Sequence, residues 1–208
     1  MTREILLVPH ANREQNLQAT SRAAELLQDA GITVRVCADE KVLPGLKHVP
    51  HTEDAASGCE LVLVLGGDGT FLRAADMARS VDIPVLGINL GHVGFLAEWE
   101  VESLDQALVR VIDKRYRIED RLTIDVTIFD EEGTLLNRSW ALNEASVENQ
   151  NRSGVLDAIL EVDRRPVSSF GCDGVLISTP TGSTAYAFSA GGPVLWPSLD
   201  AILVVPNN

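Results

Sequence analysis

The sequence predicts an α/β domain built on a parallel sheet, followed by a β-rich domain. Ile5–Val8 and Leu61–Leu65 are unbroken apolar runs, the pattern of strands buried on both faces. Runs of this kind alternate with helical patterns through residue 118, the order that builds a parallel sheet. From Leu122 the period changes to two: Leu122, Ile124, Val126 and Ile128 alternate with Thr123, Asp125 and Thr127, as in a half-buried antiparallel strand. The expected domains are residues 1–118 and 119–208.

In the first domain, Ile5–Val8 opens the sheet. Residues 12–30 read as a helix with Leu17, Ala24 and Leu27 inward and Gly31 as its stop. Ile32–Val36 is the second strand. Residues 38–58, with Pro44, Gly45, Pro50 and several charges, read as loop. Leu61–Leu65 runs into Gly66-Gly67-Asp68-Gly69, and residues 70–80 form a helix with Phe71, Ala74, Ala75 and Ala78 inward. Ile83–Ile88 is a further strand, followed by a glycine-spaced turn at Gly91–Gly94. Residues 103–113 are helical, with Leu104, Ala107, Leu108 and Val111 on one stripe. In the second domain, Glu131-Glu132-Gly133 marks a turn, and Asp163-Arg164-Arg165 separates Ile159–Val162 from Val167–Phe170 as in a hairpin. Ala201–Pro206 reads as a strand.

Composition bounds the function. Of 208 residues 45% are hydrophobic and 23% charged, the balance of a globular domain with a substantial core. A formal net charge of −13 argues against a nucleic-acid partner and against an anionic membrane surface. It leaves room for a small phosphorylated ligand, which a helix N-terminus, a glycine loop or a bound cation can hold. Cys37, Cys59 and Cys172 form no C-x-x-C pair and read as reduced thiols. Arg3 and Glu4 precede only a short apolar run, so no secretory signal is expected and the protein is placed in the cytoplasm. His10, His48, His51 and His92 lack metal-ligand spacing, and no metal ligand is assigned.

Three clusters carry chemistry. The first is the strand–Gly66-Gly67-Asp68-Gly69-Thr70–helix unit. Glycines let a ligand approach the backbone, and loop amides with a helix N-terminus attract an anion. The motif lacks the Gly-Lys-Ser/Thr of a P-loop and is not G-x-G-x-x-G. A carboxylate beside phosphates, Asp68, fits a kinase: it can hold Mg²⁺ or accept a proton from an attacking hydroxyl. Arg73, one turn on, is placed to face the same phosphates. A tight turn with an incidental Asp, and a solvated Arg, are the plain alternatives. The second cluster is Thr179-Pro180-Thr181-Gly182-Ser183-Thr184-Ala185-Tyr186, whose hydroxyls suit ribose and phosphate and whose Tyr offers a face to a base; a Ser/Thr-rich turn is its alternative. Third, Asn143-Glu144 can bind two ribose hydroxyls or an adenine edge, and Asp173 can accept from an amino group; a strand-end polar pair is the alternative for the former.

In this order and spacing, residues 66–70, Gly94-Phe95-Leu96, Asn143-Glu144, Asp173-Gly174 and residues 179–186 resemble the NAD kinase family along essentially the whole chain. Gly-Gly-Asp-Gly-Thr alone is shared with lipid kinases; the Thr179–Tyr186 run is the specific part. Trp140 and Phe170-Gly171-Cys172 resemble actinobacterial members. The resemblance implies phosphorylation of the adenosine ribose 2′-hydroxyl of NAD to give NADP, with ATP or polyphosphate as donor and Mg²⁺ or another divalent cation required. It implies Asp68 as general base, contacts to NAD from Asp68 and Gly69, and phosphate near Arg73. It further implies ribose and adenine on Asn143 and Glu144, the adenine side on Asp173, and the dinucleotide along Thr184, Ala185, Tyr186, Ala187, Phe188 and Ser189. The family forms dimers or tetramers, so a homo-oligomer is expected. Two departures stand out. Gly171 occupies a position where some relatives carry a basic residue. The resemblance also implies that the β-rich domain is a β-sandwich, and relatives run on by roughly a third, so it is expected to be incomplete. Two other functions compete: a related lipid or sugar kinase, and a non-catalytic dinucleotide-binding fragment.

Overall fold

The computed structural model describes residues 2–10, 14–37, 45–89, 96, 99–100, 104–149 and 154–207. The chain divides into two compact units, Met1–Ile118 and Glu119–Asn208.

The first unit is a six-stranded sheet in which every pairing is parallel. Its strands are β1 (Glu4–Pro9), β2 (Thr33–Cys37), β3 (Lys47–Val49), β4 (Leu61–Leu65), β5 (Val85–Asn89) and β6 (Trp99–Glu100), in spatial order β3-β2-β1-β4-β5-β6. Alternate strand residues feed two cores. Ile5, Leu7, Leu61, Leu63 and Leu65 pack under helices α1 (Glu14–Asp29) and α3 (Leu104–Ile112). Leu6, Val8, Val62 and Val64 pack under α2 (Asp68–Arg79) and the turn holding Ala55 and Ala56. Cover on both faces is why these strands read as unbroken apolar runs. The stripe Leu104, Ala107, Leu108 and Val111 is buried as expected.

Four details depart from the sequence reading. Leu17 is 44% exposed; the inward face of α1 is formed by Ala19, Thr20, Ala23, Ala24 and Leu27. Part of the expected loop 38–58 is strand β3, an edge strand whose Lys47 and His48 hide it from an apolar search. α2 begins at Asp68, two residues earlier than the pattern indicated, because glycines at 67 and 69 mask its first turn. The strand read from Ile83 begins at Val85, since Pro84 has no amide to donate to the ladder. The turn Gly91–Gly94 lies outside the described residues.

Among its described residues the second unit holds three small antiparallel sheets. β7 (Ile124–Phe129) pairs with β8 (Leu135–Ala141), and β10 (Leu156–Val162) with β11 (Arg165–Cys172). β12 (Gly174–Ser178) lies between β9 (Glu144–Glu148) and β13 (Leu203–Asn207). The β10–β11 turn is the two-residue kind that needs positive φ at both positions, and Asp163 and Arg164 adopt 51° and 63°. Arg165 therefore belongs to the strand rather than the turn. The expected half-burial of 122–128 holds only at its start: Ile124 is buried, whereas Ile128 and Phe129 are exposed. A 3-10 turn over Thr181–Thr184 and a short helix, α4 (Tyr186–Ser189), follow β12, and Ala187 packs with Leu176 and Val205.

Candidate active site

Chain order places the glycine loop where a parallel sheet binds ligands. From β1 the chain turns to β2 on one side, while β4 lies on the other side of β1. The crevice outside the C-terminal ends of β1 and β4 is thus the point where strand order reverses, the usual ligand position in open α/β sheets. His10 ends β1 there, its amide donating to the Leu65 carbonyl at 2.9 Å. Gly66 ends β4. A Cβ on Gly66 would lie 2.7 Å from Thr70 Oγ1 and 3.1 Å from His10 Cβ, so this turn closes only around glycine. Gly67 and Gly69 differ: a Cβ on either would meet nothing within 4 Å. Their own fold leaves that space open, and an incoming phosphate can use it.

Gly67 is the N-cap of α2, with no side chain capping it. Asp68, half-buried, is the first residue of the helix, where its charge complements the dipole. Its Oδ1 accepts the Leu96 amide at 3.1 Å, which fixes the carboxylate. Two stretches of the sequence pattern, 66–70 and 94–96, thereby meet, although Gly94 and Phe95 lie outside the described residues. Gly69 is exposed. Arg73 is half-buried and donates from Nη2 to the Pro9 carbonyl at 2.9 Å, holding its guanidinium beside the end of β1.

In the second unit, Asn143 and Glu144 pack against the 179–186 segment. The Asn143 carbonyl accepts the Thr179 amide at 2.8 Å and the Ser178 hydroxyl at 3.2 Å. A Cβ on Gly182 would fall 2.1 Å from that same carbonyl, so the approach requires glycine at 182. Thr179 Oγ1 donates to the Leu142 carbonyl and accepts the Gly182 amide at 3.0 Å. Ser183 Oγ donates to the Pro180 carbonyl at 2.6 Å and accepts the Leu195 amide at 2.9 Å. These hydroxyls build the loop. Three buried atoms around it have no hydrogen-bond partner among the described residues: Asn143 Oδ1, Glu144 Oε2 and Thr181 Oγ1. Orphaned buried polar atoms are rare and costly, and a polar ligand is the economical explanation. Burial pushes the Glu144 carboxyl above its ordinary range, although it accepts the Tyr186 amide, which pulls the other way.

Residues 184–189 continue from the same loop, whereas Asp173 lies at the opposite end of β12. Thr184 is half-buried and donates weakly, at 3.4 Å, to the Thr181 carbonyl. Ala185 turns the chain into α4 with φ −96° and ψ −129°. Tyr186, Phe188 and Ser189 are exposed, whereas Ala187 is fully buried and serves the core. Asp173 is exposed at the bend between β11 and β12. Thr181 was not singled out from the hydroxyl run; its burial beside Gly182 distinguishes it, and no spacing rule reveals that.

An acidic glycine loop at the switch point of a parallel sheet, joined in one chain to a β-rich unit whose polar cluster lacks partners among the described residues, fits the phosphotransferase class. The family model described as ATP-NAD kinase N-terminal domain matches residues 5–116, and that described as ATP-NAD kinase C-terminal domain matches residues 142–208. The chain belongs to the NAD kinase family. Similar relatives include the NAD kinases of Corynebacterium efficiens, 67% identical over 99% of this chain and 67% of the relative, and of Corynebacterium glutamicum, 72% identical over 89% and 67%. That of Rhodococcus jostii is 57% identical over 99% and 70%. All three are actinobacterial, as the Trp140 and Phe170–Cys172 context indicated. The chain spans about two thirds of the length of these relatives. Among solved structures, an NAD kinase from Archaeoglobus fulgidus in complex with ATP superposes with a TM-score of 0.67 at 25% identity, over 99% of this chain and 72% of that one. Yeast NADH kinase complexed with NADH shares the fold at a TM-score of 0.87 and 24% identity, over 99% of this chain and 66% of that one.

Proposed function

We propose that this chain transfers the γ-phosphoryl of ATP, or a terminal phosphoryl of polyphosphate, to the adenosine ribose 2′-hydroxyl of NAD. Asp68 orients that hydroxyl and takes its proton as the O2′–P bond forms and the bond to the leaving phosphate breaks. The observation that carries the reading is the Asp68 carboxylate, held by the Leu96 amide between two glycines whose Cβ positions are open. Gly69 and Arg73 complete the phosphate surface, with Arg73 already held beside the strand end.

Asn143 and Glu144 receive ribose hydroxyls, with Thr181 as a third polar atom lacking a partner among the described residues. Asp173 accepts from the adenine amino group. Thr184, Ala185, Tyr186, Phe188 and Ser189 line the dinucleotide, while Ala187 supports them from the core. Among the described residues no group of three or more His, Cys, Asp or Glu could hold a metal. A divalent cation would be held chiefly by the donor's phosphates, leaving the proton-accepting role to the Asp68 carboxylate. When bound, it would neutralise donor phosphate charge alongside Arg73.

A cytoplasmic dimer or tetramer belongs to this reading; the association, though not the location, is supported by apolar side chains such as Ile159 and Val167 that stand exposed on β10 and β11. No helix among the described residues is long and apolar enough to cross a membrane. The discriminating assay offers ATP or polyphosphate with NAD, NADH or diacylglycerol. Phosphoryl transfer to the dinucleotide alone is expected. Transfer to diacylglycerol points to a lipid kinase, and NAD binding without transfer to a non-catalytic module.

A further inference from the structure

We infer that Asn207, the last residue of β13, is a positioning residue of the dinucleotide surface, joining Tyr186 and Asp173 to one strand end. The inference rests on the function proposed above for those two residues.

Asn207 makes two contacts of different kinds. Its side-chain Nδ2 donates to the Tyr186 hydroxyl at 2.9 Å. Its backbone carbonyl accepts the Asp173 amide at 2.8 Å. The register places Asn207 opposite Gly174, so the Asp173 contact extends the β12–β13 ladder by one residue. On the other side, the Asp173 carbonyl accepts the Asn149 amide at 3.0 Å, and a Cβ on Gly174 would lie 2.8 Å from the Val147 carbonyl. Backbone contacts on both flanks thus hold Asp173, whose carboxylate is exposed.

Tyr186 has less support. It begins a four-residue helix and is, as a residue, 40% exposed. The ring of a half-exposed residue on so short a helix hops between rotamers unless its far end is tied. The Asn207 amide is that tie. A ring already held in place binds a dinucleotide without the ordering cost that a mobile one incurs.

Asn207→Leu keeps the backbone carbonyl and approximate shape but removes the amide. Losing one neutral hydrogen bond of this kind should raise the KM for NAD roughly three- to tenfold. The KM for the phosphoryl donor, kcat and melting temperature should stay near the parent's. Tyr186→Phe should reproduce the effect, and the double variant should be no worse than either single one. Asn207→Asp, whose carboxylate can accept from the Tyr hydroxyl, should recover most of the affinity. A ligand-free measurement separates this claim from the kinase reading: the ring resonances of Tyr186 should shift in Asn207→Leu, while the β12 amides do not. Unmoved ring resonances, an unchanged KM for NAD, or additive losses in the double variant would each overturn the inference. A parent protein that forms no NADP but shows the resonance shift would sink the kinase reading and leave the Asn207–Tyr186 tie standing.

Discussion

Burial raises the Glu144 carboxyl above the usual carboxylate range, and its Oε2 lacks a partner among the described residues. The folded protein therefore keeps this proton to higher pH than the unfolded chain does. Its stabilising contribution is full below the unfolded pKa and is lost as pH rises through the folded value. Glu144→Gln keeps the shape and removes the charge. Its melting temperature should exceed the parent's at pH 8, with the gap closing toward pH 4, while its affinity for NAD falls about tenfold or more through loss of a charge-assisted hydrogen bond. Scanning calorimetry at both pH values, with an NAD titration, checks this; a lower melting temperature at pH 8 would contradict it. Asn143 and Glu144 were legible in the sequence only as a polar pair after an apolar run. That Asn143 lies against Gly182 and that the pair's Oδ1 and Oε2 are buried comes from the tertiary approach of the 179–186 segment, which no local pattern encodes.

The elements of the first unit were legible because physical chemistry marks them twice. β1 and β4 are apolar without break because both sheet faces are covered, and α3 shows its buried stripe at helical spacing. Where the marks conflict, reading fails. β3 is polar because it lies at the sheet edge, and α2 opens with a glycine-flanked Asp, which reads as loop. Arg3 shows how the elements are tied. Its guanidinium donates to both Glu60 carboxylate oxygens at 2.6–3.0 Å, and to the Val111 and Ile112 carbonyls at 2.9 and 2.7 Å. One cation thus sits at the C-terminal end of α3, where the dipole favours it, and pins that end to the start of β4. Hydrogen bonding from Arg3 holds the Glu60 carboxyl below its ordinary range. Arg3→Ala should cost about 2 kcal/mol of stability, with Arg3→Lys recovering part. Denaturant unfolding measures it, and a change within ~0.5 kcal/mol, the usual range for surface substitutions, would contradict the role.

At the scale of the whole molecule, the two units divide the chemistry. The first has two substantial cores on either face of its sheet and carries Asp68 on a rigid strand–helix junction. The second has a small core at Leu176, Ala187 and Val205 and spends much of its polar capacity on a loop that leaves three buried atoms without partners among its described residues. Its period-two strands were legible as β structure. The β10–β11 hairpin was legible from its turn, whereas the three-stranded sheet was not, because β9, β12 and β13 come together across long stretches of chain and their register is set by packing rather than by turns. The division makes the central claim separable: removing the proton acceptor should stop transfer and spare recognition. The direct test is Asp68→Asn, followed by ATP-dependent NADP formation and by calorimetric NAD binding on the same preparation. Turnover should fall by two or more orders of magnitude, the scale of general-base catalysis, with NAD affinity changed less than about tenfold, because the Asn amide oxygen still accepts from the hydroxyl. Near-normal turnover in that variant would contradict the central claim.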